Sequence, residues 1–219
     1  MTTFSSLGVS EAFIKGIKEC GILTPTPIQE QAIPYLLKEG SDFIGKAQTG
    51  TGKTAAFGLP LLQRINTKKS QVQALILAPT RELGQQIAKQ LFKFTKYSEK
   101  IFVEGVFGGS NIDQQISRLR RPTHIVVATP GRLIDLLNRK AINLEKIQYV
   151  VLDEADEMLN MGFQDDIEFI LKNTPNRESI WLFSATMPAE IRKVSKRYMK
   201  EPVEVTIGKV NATNKSIDH

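Results

Sequence analysis

The 219-residue sequence is poor in the residues that hold disulfides and metal centres, with one cysteine and two histidines. A single thiol, Cys20, excludes an internal disulfide and any multi-cysteine zinc site. Neither His124 nor His219 has a visible partner for binding a metal. A reduced intracellular compartment is therefore the simplest setting, and we expect a cytoplasmic location.

Long apolar runs and low-complexity tracts are also missing. No run approaches the roughly 18 apolar residues that a membrane span needs. The first residues, MTTFSSLGVSEAF, lack the basic and apolar regions of a secretory signal. Hydrophobic residues make up 41% and charged residues 24%, which is ordinary usage for a globular chain. We expect no membrane association and no large disordered part.

Lysine and arginine exceed aspartate and glutamate, 29 to 23, which gives a formal net charge of +6. This excess permits a polyanionic partner but does not identify one, because such a charge is common on chains that bind nothing anionic.

Short apolar segments alternate with longer stretches of helical periodicity, which is typical of a parallel sheet covered by helices. Strands are predicted at Asp42–Gly45, Ala74–Ala78, Val103–Phe107, Ile125–Ala128, Tyr149–Leu152, Ile180–Phe183 and Val203–Ile207. Helices are predicted at Ser10–Cys20, Ile28–Leu37, Lys53–Ile65, Arg81–Tyr97, Asp113–Leu119, Gly131–Asn138 and Pro188–Tyr198. The fold class is thus α/β, with a mostly parallel sheet and helices on both faces.

The strongest chemical signal is the segment AQTGTGKT, which ends in Gly52-Lys53-Thr54 between a predicted strand and a predicted helix. Glycines let several backbone N–H groups face phosphate oxygens, and the helix adds the positive end of its dipole. Lys53 would then contact the β- and γ-phosphates, and the Thr54 hydroxyl would bind Mg²⁺. The generic pattern begins with glycine, whereas this chain has Ala47. A chance glycine-rich turn is the alternative.

A second acidic centre follows the apolar strand predicted at Tyr149–Leu152. In phosphate-loop enzymes the acid after a neighbouring strand faces the metal, which here is Asp153. Glu154 could accept a proton from an attacking water. Capping of the next helix by these acids is the alternative, but their pairing with Lys53 favours hydrolysis of a nucleoside triphosphate.

The acidic segment spells DEAD, Asp153 to Asp156, and together with AQTGTGKT it resembles the DEAD-box RNA helicases, in particular bacterial cold-shock-type members. Ala47 fits this family, whose phosphate loop commonly begins with alanine. Further segments match in family order: GILTPTPIQ over 21–29 with the upstream Phe4, PTREL over 79–83, Gly108-Gly109, TPGR over 129–132, and SAT over 184–186.

The resemblance implies a RecA-like domain that binds ATP with Mg²⁺ through Thr54 and Asp153. Catalytic roles fall to Lys53, Asp153 and Glu154. The implied nucleotide contacts are Phe4, Ile22, Thr24, Gln29, Thr49, Gly50, Thr51, Gly52, Lys53 and Thr54. The Gln29 amide can pair with the N6 amine and N7 of adenine, which favours ATP over GTP. Ile22 replaces an aromatic residue that the family often carries. Phe4 could equally be a hydrophobic anchor, and Gln29 a surface side chain.

Implied RNA contacts follow the predicted strands, where open α/β sheets bind ligands. They are Pro79, Thr80, Arg81, Gly108, Gly109, Thr129, Pro130, Gly131 and Arg132. Hydroxyl and glycine N–H groups suit the RNA backbone, and such contacts are independent of base sequence. Helix capping is the alternative for Thr80 and Thr129. By resemblance, Asp156, Ser184 and Thr186 couple the acidic centre to RNA binding.

Three parts are predicted along the chain. Residues 1–30 form a region packed on the next part, residues 31–208 form the first RecA-like domain, and residues 209–219 begin an interdomain linker. The family's second RecA-like domain, with its arginine fingers, finds no match here, so the chain resembles the N-terminal half of a helicase and is expected to have little activity alone.

Two other classes of protein remain open. A different phosphate-loop enzyme, such as a DNA translocase or kinase, would not need Gln29 upstream of the loop. A passive RNA-binding module would not need Lys53, Asp153 and Glu154 together.

Overall fold

A computed structural model describes residues 1–208 and shows one seven-stranded sheet within that range. The strands are β1 (Phe43–Lys46), β2 (Ala74–Leu77), β3 (Val103–Val106), β4 (Ile125–Ala128), β5 (Tyr149–Leu152), β6 (Ser179–Ser184) and β7 (Val203–Thr206). Their spatial order is β3-β4-β2-β5-β6-β1-β7, and every neighbouring pair is parallel. The predicted parallel sheet is confirmed.

Two helices precede the first strand, and the others connect the strands of the sheet. The helices are α1 (Glu11–Glu19), α2 (Pro27–Leu36), α3 (Lys53–Arg64), α4 (Arg81–Phe94), α5 (Ile112–Leu119), α6 (Pro130–Asn138), α7 (Ala155–Asn160), α8 (Gln164–Lys172) and α9 (Ala189–Tyr198). Two of them begin at a side-chain cap: the Thr80 hydroxyl accepts the Leu83 N–H at 3.2 Å, and Asn111 accepts the Gln114 N–H at 3.1 Å. Such caps satisfy N–H groups that a helix leaves unpaired at its start.

Two apolar layers enclose the sheet. Helices α1 to α4 pack on one face, where alternate residues such as Ile76, Val127 and Trp181 point. Helices α5 to α9 cover the other face, which receives the intervening residues such as Leu75 and Val126. Because both faces are buried, the central strands are apolar at nearly every position, and this explains the continuous runs in the sequence.

All seven predicted strands and all seven predicted helices are present, with ends that differ by up to a few residues. The structure adds α7 and α8, which are absent from the predicted elements. Helix α8 carries a recognisable pattern, because Ile167, Ile170 and Leu171 are its buried residues.

The N-terminal residues pack on the rest of the chain. Phe13, Ile14 and Ile17 of α1 lie in the same buried cluster as residues of α3 and α4. The predicted boundary between residues 30 and 31 falls inside α2, and the predicted linker, 209–219, lies outside the described residues. Among residues 1–208, no helix has the length and apolar character that a membrane crossing requires.

Trp181 and His124 are structural residues. Trp181 is fully buried, and its indole N–H donates to the Ser41 carbonyl at 3.0 Å. His124 is also buried and accepts the Phe102 N–H through Nδ1 at 3.0 Å, while burial lowers the pKa of its imidazole.

Candidate functional site

The glycine-rich loop joins β1 to α3, as predicted from its flanking patterns. Gly50 and Gly52 have φ angles of +78° and +85°, which side-chain-bearing residues rarely adopt. A Cβ on Gly52 would also lie 2.4 Å from Nε2 of Gln29. Glycine is therefore required at position 52 by both backbone conformation and space. Lys53 is the first residue of α3, so the helix begins where the phosphate loop ends.

Lys53 and Asp153 face each other in the interior of the site. Both are buried, at 6% and 2% exposure, and Lys53 Nζ lies 3.7 Å from Asp153 Oδ1. This separation is an ion pair but exceeds a hydrogen bond, and Nζ has no hydrogen-bond partner. Buried polar atoms are normally hydrogen-bonded, so an unsatisfied ammonium group marks a place where an anion fits.

Burial raises the pKa of Asp153 to about 6. The positive charge of Lys53 opposes this rise, whereas the neighbouring carboxylate of Glu154 adds to it. Asp153 Oδ1 also accepts the backbone N–H of Glu154 at 3.0 Å. Removal from water thus outweighs the attraction of Lys53.

Glu154 has a left-handed backbone, with φ of 50° and ψ of 53°. This conformation is uncommon for a residue with a side chain and is found most often at functional sites. The turn lets α7 begin immediately after β5, while the half-buried Glu154 side chain lies beside the cleft that also contains Asp153.

Gln29 connects the N-terminal region to the phosphate loop. Its side chain is 1% exposed, Oε1 accepts the Thr26 N–H at 2.9 Å, and Nε2 donates to the Gly52 carbonyl at 3.0 Å. The Thr26 hydroxyl donates to the Thr51 carbonyl at 2.8 Å. A glutamine amide has two donors and more than one acceptor site, so one N–H and one lone pair stay available to a ligand.

These elements border a cleft of about 740 Å³. The structure brings together ten of the predicted residues along its walls: Ile22, Thr24, Gln29, Thr49, Gly50, Gly52, Lys53, Thr54, Asp153 and Glu154. Helix α4 adds residues that sequence reasoning missed, namely Leu83, Gln86 and Gln90. Two of these are glutamines on an amphipathic helix, and nothing in the sequence separates them from ordinary surface residues.

Two residues predicted to contact the nucleotide do not line this cleft. Phe4 is 3% exposed and lies in the core beneath α1 to α4, which is the hydrophobic anchor that the sequence left open. Thr51 faces a neighbouring hollow of about 430 Å³. The backbone carbonyl of Thr51 still takes part in the site, because it accepts the hydrogen bond from Thr26.

The residues predicted to contact RNA follow β2, β3 and β4, which are adjacent in the sheet. Gly108, Gly109 and Gly131 are exposed, and Gly108 and Gly131 face open space. Pro79 and Pro130 are buried. The Thr129 hydroxyl accepts the Gly108 N–H at 3.3 Å, whereas that of Thr80 caps α4.

A polar network holds this group of loops together. Arg132 Nη1 donates to the Ser110 carbonyl at 2.9 Å and to Gln115 Oε1 at 3.0 Å. Gln115 is 1% exposed, and its Nε2 donates to the Phe107 carbonyl at 2.9 Å. The sequence did not single out Gln115, because a glutamine in an amphipathic helix gives no sign of burial. In the structure, Gln115 connects the loop that contains Gly108 and Gly109 to Arg132.

Ser184 and Thr186 meet Asp156, as their predicted grouping requires. The Asp156 N–H donates to the Ser184 hydroxyl at 3.1 Å, and Asp156 Oδ2 accepts both the N–H and the hydroxyl of Thr186 at 3.0 and 2.9 Å. Burial alone would raise the pKa of Asp156, but the bonds from Thr186 and Ser184 hold it below its usual value. Strand β6 is thereby tied to the acidic turn after β5.

A glycine-rich loop at a helix start, a buried lysine and a strand-terminal aspartate define a phosphate-loop nucleotide-binding domain. The family model for DEAD/DEAH box helicases matches residues 26–194, and the chain belongs to this family.

The curated relatives support this membership. The chain is 48% identical to the DEAD-box ATP-dependent RNA helicase CshA of Bacillus cereus and 51% identical to the ATP-dependent RNA helicase CshA of Listeria monocytogenes. Each match covers 94% of this chain and 39% of the relative. The chain thus spans about two fifths of the length of these relatives.

Two solved structures confirm the RecA-like α/β fold. A DEAD box protein from the hyperthermophile Methanococcus jannaschii matches with a TM-score of 0.88 and 39% identity, over 94% of this chain and 56% of that one. A hypothetical ATP-dependent RNA helicase from Sulfolobus tokodaii matches with a TM-score of 0.83 and 40% identity, over 90% and 57% respectively.

Proposed function

We propose that this chain is the ATP-binding first domain of a longer ATP-dependent RNA helicase, in which ATP binding and hydrolysis are coupled to RNA binding and local duplex unwinding. The names of its relatives and the share of their length that it spans support this assignment. In this proposal residues 1–30 and 31–208 form the nucleotide-binding unit, residues 209–219 lead to a second RecA-like domain, and the parent protein works in the cytoplasm.

One observation carries the nucleotide assignment. Lys53 Nζ is buried without a hydrogen-bond partner, at the start of α3 and 3.7 Å from Asp153. A nucleotide phosphate would give this ammonium group hydrogen-bond acceptors, and the N–H groups of the loop and helix would share the same anion.

The residues of the cleft also suit Mg²⁺. Thr54 Oγ1 and Asp153 would hold the ion, with Asp153 acting partly through water, and the ion would neutralise charge on the phosphates. Among the described residues, no cluster of three or more His, Cys, Asp or Glu side chains could form a protein-only metal cage. Mg²⁺ needs no such cage, since it binds through one or two carboxylates together with substrate phosphates.

Adenine recognition falls to Gln29 in this proposal. Its amide is fixed by Thr26 on one side and by Gly52 on the other. The remaining N–H and lone pair form a donor–acceptor pair that matches N7 and the N6 amine of adenine, whereas guanine presents an oxygen at that position. Ile22 and Thr24 line the same part of the cleft, and Ile22 would pack against the base.

We assign Glu154 the role of general base, which accepts the proton of the attacking water. Its side chain lies in the cleft next to Asp153, and its strained backbone fixes the direction from which it enters the cleft. Hydrolysis also needs charge stabilisation at the γ-phosphate from outside this chain, and arginine fingers in related systems contribute about 10³–10⁵ in rate. The chain alone should therefore bind nucleotide with little turnover.

RNA would lie across the carboxyl ends of β3, β4 and β2. The exposed backbone at Gly108, Gly109 and Gly131 and the side chains of Thr80, Arg81, Thr129 and Arg132 suit phosphate and sugar oxygens. Such contacts favour RNA through its 2′-hydroxyl without reading base sequence. In this proposal Asp156, Ser184 and Thr186 transmit the state of the nucleotide to this surface.

The decisive experiment is a calorimetric titration of the 219-residue chain with ADP and Mg²⁺. Lys53→Ala should weaken binding by roughly 100-fold or more, because a charge-assisted contact to phosphate is lost and Asp153 loses its counter-charge. Lys89→Ala, an exposed lysine on α4, is the matched control and should bind like the unchanged chain. Equal affinity for the two variants would refute the phosphate site.

A second titration tests the base. Gln29→Ala should reduce the preference for ADP over GDP, and a variant that discriminates as well as the unchanged chain would contradict the role of Gln29. Titrations with single-stranded RNA and matching DNA separate the two rival classes. A passive RNA-binding module would bind RNA independently of nucleotide, and a general nucleic-acid translocase would hold DNA as tightly as RNA in the two-domain protein.

A further inference from the structure

A second groove is separate from the nucleotide cleft and lies where the C-terminal ends of α1 and α4 meet the start of β3. Its volume is about 790 Å³, and it shares no lining residue with the cleft. The two helices are in close contact beneath it, since a Cβ on Gly16 would lie 2.4 Å from the Phe94 carbonyl oxygen. The groove is at the amino end of β3, whereas the nucleotide and RNA residues follow the carboxyl ends of strands.

Two exposed phenylalanines line the groove. Phe92 is 74% exposed and Phe102 is 38% exposed. The buried residues of α4 are Gly84, Ile87, Leu91 and Phe94, so Phe92 makes no contribution to the core on that face of the helix. Large apolar side chains that gather at an exposed concave surface are typical of an interaction site.

The charges around the groove are mainly positive. Lys93, Lys96 and Lys100 line it, and its only carboxylate is that of Glu19. Glu19 is already bonded to Lys96 Nζ at 2.5 Å and to the Tyr97 hydroxyl. Lys93 and Lys100 take part in none of the ion pairs within the described residues. Two uncompensated ammonium groups thus border an apolar floor.

We propose that this groove docks a segment of a partner protein in which acidic residues flank a large apolar side chain. The apolar side chain would pack against Phe92 and Phe102, and the acidic residues would face Lys93 and Lys100. Aromatic residues at the centre of an interface contribute most to its affinity, while complementary charges at the rim select the partner and speed its association.

A single strand of nucleic acid fits this groove less well. Binding of that kind relies on free aromatic faces for base stacking. Phe102 is 38% exposed and offers only part of its ring, because Lys100 Nζ lies 5.4 Å from the ring centre and the centre of the His124 ring lies 5.5 Å away. Concavity and the single well-exposed ring therefore favour a protein segment.

Cys20 allows a direct test. It is the only cysteine of the chain, is exposed and lines the groove, so a trifluoromethyl label there reports on this surface by fluorine NMR. The probe is a short peptide of Glu and Asp residues with one Phe and one Leu at its centre. It should shift the fluorine signal saturably, and a counterpart with Lys for every acid should not.

Two pairs of variants locate the binding. Phe92→Ala should weaken the acidic peptide roughly tenfold, as expected for an interface aromatic, whereas Phe169→Ala on α8, 41% exposed, should leave it unchanged. Replacing Lys93 and Lys100 together by glutamate should abolish the preference for the acidic peptide. Lys172→Glu, also on α8, is the matched charge control.

Competition completes the test. Because groove and cleft share no residue, saturating ADP with Mg²⁺ should leave the peptide bound. The proposal fails if no saturable shift occurs, if the lysine peptide binds equally, if Phe92→Ala binds like the unchanged chain, or if ADP displaces the peptide. It also fails if single-stranded RNA gives the shift instead and loses it with Phe92→Ala. None of these outcomes depends on helicase activity.

Discussion

The carboxyl edge of the sheet has two halves that differ in how their polar groups are satisfied. Beyond β5, β6 and β1 lie the buried Lys53 and Asp153, with an ammonium group that has no hydrogen-bond partner and an acid whose pKa is raised to about 6. Beyond β3, β4 and β2, Thr80 caps a helix, Thr129 accepts from Gly108, and Arg132 bonds to Gln115.

The first half therefore contains buried charges that its own residues do not fully compensate. In the second half, the polar side chains already have hydrogen-bond partners. Burying charges without full compensation costs stability, which a charged ligand restores. A surface whose groups already satisfy each other gains less from a ligand. The contrast explains why the nucleotide half should bind its ligand within this chain alone, whereas RNA affinity should depend on a second domain that closes over the strand.

The largest expected effect concerns the hydrolysis step in the nucleotide half. In a two-domain form of the protein, Glu154→Gln should slow ATP hydrolysis by about 10²–10⁴-fold, the usual contribution of a general base. ATP binding should persist, because the ground-state phosphates face Lys53 and Glu154 acts only when water loses its proton. Single-turnover hydrolysis and a parallel binding titration separate the two effects.

Glu157→Gln, an exposed position on α7, the helix that follows Glu154, is the matched control and should hydrolyse ATP normally. If Glu154→Gln lost nucleotide binding as completely as Lys53→Ala, the glutamate would be structural and the assigned base would be wrong.

The next effect concerns the stability of the nucleotide half. The folded chain holds the Asp153 proton up to a pH of about 6, whereas an unfolded aspartate releases it near 3.8. The native state therefore binds more protons in this window, and stability should fall as the pH rises through it. Asp153→Asn removes this titration, so the stability of the nucleotide-free variant should stay nearly constant between pH 4 and about 6.

Denaturant unfolding from pH 3.5 to 7.5 in the presence of EDTA measures this difference. The two chains should be similar at the acidic end and diverge between pH 4 and about 6. Asp165→Asn, an exposed position on α8, controls for the loss of one negative charge. A constant difference across the range would show that burial of Asp153 does not set its pKa.

The third effect concerns the hydrogen bonds that hold the loops in the second half of the edge. Gln115→Leu leaves the Phe107 carbonyl and the Arg132 guanidinium without their buried partner, at a cost of about 1–3 kcal/mol. Hydrogen exchange should accelerate locally over residues 107–110, and ADP affinity should stay unchanged. Gln114→Leu, exposed on the same helix, should alter neither quantity. Equal exchange in both variants would mean that Gln115 does not hold this loop.

Periodicity and short motifs predicted most of the fold and much of the nucleotide half. β-branched runs identified the strands, and the glycines and lysine of the loop carry their chemistry in their residue types. Other features arise only when distant segments meet. Gln115 and Arg132 belong to different helices, and no local sequence pattern predicts the hydrogen bond between them. The burial of Phe4, Pro79 and Pro130 likewise depends on tertiary packing, which the spacing of residues along the sequence does not predict.

The smallest expected effect concerns the link between the N-terminal region and the phosphate loop. Thr26→Val keeps the shape of the side chain and the backbone N–H that donates to Gln29, but it removes the hydroxyl that donates to the Thr51 carbonyl at 2.8 Å. The loss should lower the free energy of unfolding by about 1 kcal/mol, the usual net contribution of one neutral hydrogen bond. ADP affinity should fall by no more than about tenfold, because one such bond corresponds to less than 1.4 kcal/mol. Thr2→Val, at the exposed N-terminus, is the control. If Thr26→Val weakened ADP binding as strongly as Lys53→Ala does, the conformation of the phosphate loop would depend on this single hydroxyl and not on its glycines.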